Sequence, residues 1–130
     1  MAGLVYLDAS AIVKLIRIEP ESTALRRESG EWPELVTSIV GEIEVLRVTR
    51  RAGLAATTAE RVLGQMTILA LDEDVREHAA LIADPVLRTL DAIHLATALS
   101  IADDLDGFVC YDVRLGSEAR RSGLEVIAPA

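Results

Sequence analysis

One cysteine, Cys110, stands in a chain of 130 residues. A lone thiol excludes an intrachain disulfide and a zinc site built from cysteines, and a chain without disulfides suits a reducing compartment. Aromatic residues are scarce: Tyr6, Trp32, Phe108 and Tyr111 are the whole set, so any core must be built from Leu, Val, Ile and Ala. There is a single lysine, Lys14, and the 13 basic residues face 21 acidic ones, for a net charge of −8. That balance counts against broad, nonspecific attachment to a polyanion. A nucleic-acid partner would have to be met through local basic clusters or through a metal. No uninterrupted apolar run approaches the roughly 18 residues of a membrane span, and no basic segment leads into a cleavable apolar stretch. Neither membrane insertion nor secretion is expected, which leaves a cytoplasmic protein. Linkers rich in Gly and Ser, low-complexity tracts and repeats are also missing.

What the chain does have is ample apolar material, 51% of its residues with a mean hydropathy of +0.32. This is enough for one core in one domain spanning residues 1–130. Short apolar runs alternate with longer helical ones, the pattern of a mainly parallel sheet covered by helices. Strands are expected at residues 3–7, 35–38, 67–71, 107–111 and 125–127. They alternate little between apolar and polar, as strands buried on both faces should. Helices are expected at 10–16, 21–28, 39–51, 57–65, 72–82, 90–102 and 112–122. The third carries Ile39, Ile43 and Leu46 on one stripe and ends before Gly53. Thr57 or Thr58 suits the cap of the fourth, Asp72 that of the fifth.

Four acids fall where such a fold gathers its functional groups. Asp8 ends the run Gly3-Leu-Val-Tyr-Leu7, and Asp112 follows Gly107-Phe-Val-Cys-Tyr111. Asp91 opens a very apolar helix, and Glu42 and Glu44 lie on the helix after Leu35-Val-Thr37. Carboxyl ends of parallel strands border the crevice where these sheets bind ligands. Carboxylates crowded there call for a divalent cation to offset their charge. Each acid also has a plainer explanation, as a helix cap or a solvated face. Glu42 and Glu44, two positions apart, cannot share a helix face; Gly41 leaves room for Glu44 to reach a pocket, which favours it without deciding the matter. His94, between Ile93 and Leu95, reads as a core histidine bonded to backbone. Asp103, Asp104 and Asp106 read as a solvated turn.

In their order these segments resemble the PIN-domain ribonucleases, and most closely their VapC toxin branch. Leu4-Val-Tyr-Leu-Asp-Ala-Ser-Ala-Ile-Val-Lys-Leu15 is similar to that family's first strand, first acid and helix. Thr37-Ser-Ile-Val-Gly-Glu-Ile-Glu-Val-Leu-Arg47 is similar to its second-acid segment and selects Glu44 over Glu42. Leu90-Asp-Ala-Ile-His-Leu-Ala-Thr-Ala98 is similar to the third-acid helix. Phe108-Val-Cys-Tyr-Asp-Val-Arg-Leu115 is similar to the fourth-acid segment.

The resemblance implies a three-layer α/β/α sandwich around a parallel sheet of about five strands, with Asp8, Glu44, Asp91 and Asp112 as the catalytic and metal-binding set. It implies a Mg²⁺-dependent endoribonuclease, with Mn²⁺ as a substitute, that acts as the toxin of a toxin–antitoxin pair. RNA, with tRNA or another structured RNA as target, would be cut to leave a 5′-phosphate and a 3′-hydroxyl, inhibiting translation and growth. A small cognate antitoxin, a homodimer and a toxin–antitoxin hetero-oligomer are the implied partners. The alternative is a catalytically weak binding module that works by antitoxin complex formation and repression, for which Ile12-Val13, Leu15-Ile16 and Val62-Leu63 would serve as sticky surface or else as core. Many relatives carry a hydroxyl where this chain has Cys110, so Ser10 and Ser38 become the hydroxyls expected near the site. Lys14, Arg17, Arg26, Arg27, Arg47, Arg50 and Arg51 are the basic islands available to RNA.

Overall fold

The computed structural model describes residues 3–130. The chain runs β1 (Leu4–Leu7), α1 (Ala9–Lys14), α2 (Ser22–Ser29), β2 (Glu34–Ser38), α3 (Ile39–Arg51), α4 (Ala56–Gly64), β3 (Met66–Leu69), α5 (Glu73–Ala80), α6 (Thr89–Leu99), β4 (Leu105–Val109), α7 (Val113–Arg121) and β5 (Val126–Ile127), with one 3₁₀ turn at Ala102–Asp104. All four strand pairings are parallel, in the order β3-β2-β1-β4-β5. The expected α/β sandwich and its five strands are present, with element ends displaced by a few residues.

Side chains alternate across each strand, and here both faces are buried. Val5 and Leu7 of β1 and Val109 of β4 point into one core, with Ile12, Leu25, Val45 and Leu63. Tyr6, Phe108 and Cys110 point into the other, with Leu95, Leu115 and Ala119. Apolar area removed from water on both sides, at roughly 25 cal/mol per Å², is what holds the three layers together.

The strand order carries a functional consequence. From β1 the chain steps one way through β2 to β3, then returns to place β4 on the other side of β1. The direction of winding therefore reverses between β1 and β4, and the carboxyl ends of these two strands border the crevice. Asp8 N–H donates to Val109 O at 3.3 Å, tying the two strand ends together there.

Several expectations need correction. The stripe Ile39, Ile43 and Leu46 does not face the core; Ile43 is 52% exposed and Leu46 42% exposed. Gly41, Val45 and Thr49 form the buried face of α3 instead. Two apolar faces exist on this helix, and periodicity cannot say which one the sheet receives. Ile12, Val13 and Leu63 are buried in the first core, with Leu15, Ile16 and Val62 packed against it, so they are core and not sticky surface. Neither Thr57 nor Thr58 caps α4; its cap position is Ala55, with no side-chain bond. Asp72 does cap α5, accepting from Val75 N–H at 2.9 Å. Of the acidic turn, Asp103 and Asp104 are exposed, whereas Asp106 lies within β4 and is partly buried.

Candidate active site

Asp8, Glu44, Asp91 and Asp112 line one pocket of about 310 Å³, together with Ala9, Ser10, Lys14, Arg88, His94 and Tyr111. The four acids arrive from the end of β1, from α3, from the first turn of α6 and from the start of α7. Glu42 is not among the lining residues. A somewhat larger cavity of about 370 Å³, lined by Leu71, Arg76, Ile82, Asp84, Leu87 and Ile93 among others, lies by α5 and α6. It gathers only one acid, whereas the smaller pocket gathers four.

Each acid is held by one oxygen. Asp8 Oδ1 accepts from Ala11 N–H at 2.9 Å, capping α1, and from Ser10 Oγ–H at 2.9 Å. Asp112 Oδ1 accepts from Leu115 N–H at 2.8 Å, capping α7. Asp91 Oδ2 accepts from Arg88 Nε–H at 3.0 Å. Glu44 Oε1 lies 2.7 Å from His94 Nε2. The second oxygen of every one of these carboxylates makes no hydrogen bond to protein among the described residues. A carboxylate offers two oxygens and about four lone-pair sites, so the capping role and a role in the pocket are not rivals. One oxygen fixes the side chain and the other is free to work.

Exposure rises from the floor of the pocket to its mouth. Asp8 is 4% exposed, the side chains of Asp91 and Glu44 are 13% and 27% exposed, and Asp112 is exposed. Burial lifts the pKa of Asp8 above its ordinary value; Ala11 N–H, the nearby His94 and the Ser10 hydroxyl pull it back, and the charge of Asp91 adds to the lift. A buried carboxylate with an acidic neighbour is short of positive charge. Oxygen donors of this kind suit a hard divalent cation. As the side chains stand, no three His, Cys, Asp or Glu groups among the described residues are drawn together tightly enough to grip one ion. The donor set fits such a cation; its free oxygens must close inward to hold it.

His94 is buried, but it is bonded to side chains and not to backbone: Nδ1 lies 2.7 Å from Tyr6 Oη, and Nε2 reaches Glu44. Gly41 makes room for His94 more than for Glu44, since a β-carbon there would stand 3.0 Å from His94 Cε1. Ser10 supplies the expected hydroxyl, whereas Ser38 is spent on Gly41 N–H as the cap of α3. Cys110 donates weakly to Asp112 O at 3.4 Å, and burial pushes its thiol up to about 12. It supports the backbone of Asp112, whose side chain is held by α7.

Arg88 escaped the sequence reading because nothing in the run Leu87-Arg-Thr89 marks it; only the fold brings it to the pocket. Lys14, by contrast, is no open island. Its ammonium bonds Glu19 at 2.9 Å and Glu21 at 2.8 Å and lies over the Tyr111 ring at 4.6 Å from its centre. Arg17 is paired with Glu19. Arg47, Arg50 and Arg51 are exposed on α3, beside Ile43 and Leu46.

Comparison with known proteins shows the family and the fold. A family model described as PIN domain matches residues 5–106. The chain is 41% identical over 132 residues to Ribonuclease VapC47 of Mycobacterium tuberculosis, covering 97% of each chain. It is 42% identical over 127 residues to Ribonuclease VapC46 of the same species, covering 97% of this chain and 98% of that one. Among solved structures, the fold is shared with Mycobacterium tuberculosis VapC20, described as a Sarcin-Ricin loop cleaving toxin, at a TM-score of 0.74 and 15% identity over 96% of this chain and 99% of that one. A toxin-antitoxin complex from Klebsiella pneumoniae contains a similar chain, with a TM-score of 0.73 and 20% identity over 97% of this chain and 98% of that one.

Proposed function

The chain belongs to the PIN domain family, and from that membership we propose that it is a metal-dependent endoribonuclease acting as the toxin of a toxin–antitoxin pair. The observation that carries this reading is the meeting of Asp8, Glu44, Asp91 and Asp112 from four separate elements in one pocket. Relatives at 41–42% identity over nearly their whole length bear the name ribonuclease.

Asp8, Glu44, Asp91 and Asp112 would hold Mg²⁺, or Mn²⁺ in its place, through the oxygens left free by their structural hydrogen bonds. A divalent cation bound there supplies the charge that activates a water and steadies the phosphoryl oxygens as negative charge builds. The chain's own residues do the rest. Helix caps at Asp8 and Asp112 set two carboxylates rigidly at the crevice. Arg88, bonded to Asp91 and 76% exposed in its side chain, stands at the rim where it can meet a phosphate. Arg47, Arg50 and Arg51 extend positive charge along α3 away from the pocket, a path for an RNA backbone on an otherwise acidic protein. Attack by water in line with the leaving ribose oxygen leaves a 5′-phosphate and a 3′-hydroxyl.

The antitoxin takes its place on the outward face of α3. Ile39, Ile43 and Leu46, with Leu90 45% exposed nearby, make an apolar surface next to the acidic pocket. Apolar surface of this kind marks a protein contact, and a small partner seated there would also cover the pocket. A homodimer and a toxin–antitoxin hetero-oligomer complete the reading.

The test pairs chemistry with growth. Purified protein should cleave RNA in Mg²⁺ or Mn²⁺ and stop in EDTA, and Asp8→Ala and Asp91→Ala should each abolish cleavage and relieve growth arrest on induction. Undiminished cleavage in EDTA, or full activity in both variants, defeats the proposal.

A further inference from the structure

Three of the four acids are steadied close to home. Asp8 and Asp112 cap their own helices, and Asp91 is bonded by Arg88 three positions earlier. Glu44 sits in the interior of α3, where no free backbone N–H is available to it, and it has one more rotatable bond than an aspartate. Its only hydrogen-bond partner among the described residues comes from 50 positions away: His94 Nε2, at 2.7 Å.

That partner is itself fixed on every side. His94 is 1% exposed. Its Nδ1 lies 2.7 Å from Tyr6 Oη, and the two rings meet edge to face with centres 5.7 Å apart. Tyr6 in turn stacks on Phe108 at 5.4 Å. The glycine at position 41 leaves the ring its space. A rigid file of groups therefore runs from the sheet, through α6, to the tip of one side chain on α3.

The chemistry of the file gives it a direction. A carboxylate only accepts hydrogen bonds, so Nε2 of His94 must carry the proton it shares with Glu44. In the neutral ring that leaves a lone pair on Nδ1, and the phenol of Tyr6 donates to it. Tyr6, which does not touch the pocket, selects the tautomer that His94 presents to Glu44.

We propose that His94, set in its Nε2–H tautomer by Tyr6, is a positioning residue that holds Glu44 by Oε1 and presents Oε2 to the divalent cation. The inference rests on the metal-nuclease reading and assigns one acid's placement within it. Partners that orient a metal ligand from behind are typically worth about 10–100-fold in metal affinity or activity.

Calorimetric titration of the full chain with Mn²⁺ tests this, alongside nitrogen NMR of the imidazoles, of which the chain has only two, His78 and His94. His94→Asn, which cannot reach Glu44, should weaken Mn²⁺ binding by about 10–100-fold. His94→Gln, which can still donate, should recover part of that loss. Tyr6→Phe should weaken binding severalfold with the pocket's own residues unchanged, and in the wild type His94 should carry its proton on Nε2. Melting temperatures separate loss of folding from loss of positioning. Affinities within twofold of wild type in all three variants, or a wild-type His94 protonated on Nδ1 alone, overturn the inference; the spectrum of the wild type decides even where a variant fails to fold. If the wild type itself binds no Mn²⁺, the metal-nuclease reading falls first, and that result is distinguishable from the others.

Discussion

Gly41 and His94 are packed so that a β-carbon on the glycine would stand 3.0 Å from the imidazole Cε1, and 2.5 Å from Thr37 Oγ1. In most helices, replacing an interior glycine by alanine gains about 1 kcal/mol. Here the sign reverses. Gly41→Ala must push the His94 ring or shift Thr37, whose hydroxyl is bonded to Leu7 O, and overpacking of this kind typically costs about 1–3 kcal/mol. Chemical denaturation should find the variant less stable than wild type. A gain in stability would show that the α3–α6 contact has slack.

Asp8 sets stability against function. Its folded pKa is raised above the unfolded value of 3.8 by burial. The folded state therefore binds the Asp8 proton more tightly than the unfolded chain, and stability is greatest below that unfolded value and is lost as pH rises through the folded one. Asp8→Asn keeps an oxygen for Ala11 N–H and Ser10 while removing the buried charge. In EDTA at pH 7 it should melt higher than wild type by a few degrees, about 2–6 °C, and it should have no nuclease activity. The difference should shrink as the pH falls towards 4. A variant that melts lower at pH 7 contradicts this account of the pocket floor.

The arginines of α3 can be read through salt. Each phosphate contact to a single strand contributes roughly 0.7 to the slope of log binding constant against log salt. Replacing Arg47, Arg50 and Arg51 together by Ala, in an Asp8→Asn background that prevents cleavage, should lower that slope by about 2. Fluorescence anisotropy with a labelled RNA over a salt series makes the measurement. An unchanged slope would move the RNA path off this face.

Much of the site was legible because its acids sit at boundaries that sequence marks well. Asp8 and Asp112 follow apolar strands, and both turned out to cap the next helix while lining the pocket. The limits of α3, residues 39–51, were read without error. What sequence could not convey is facing. Ile43 and Leu46 look like core and stand outside, whereas Lys14, with a charge that suggests the surface, lies buried between two glutamates and a tyrosine. Hydrogen-bond partners distant in sequence were equally out of reach: nothing near His94 announces Tyr6 or Glu44, and nothing near Arg88 announces the pocket. Thr57 and Thr58 have the chemistry of a cap, but α4 begins one residue before them, so both are already inside its first turn.

The order of the strands bears on how the protein is made. β1 lies at the centre of the sheet, and β4, the strand that pairs with it across the crevice, is the next to last in the chain. A chain leaving the ribosome presents Asp8 well before β4, and its pocket has no second wall until β4 has emerged and Asp112 has followed it. Synthesis runs at about 5–20 residues per second, so about 5–20 s separate the appearance of Asp8 from that of Asp112. The four carboxylates can therefore meet only after β4 has paired with β1, so the pocket is among the last features of the fold to be completed.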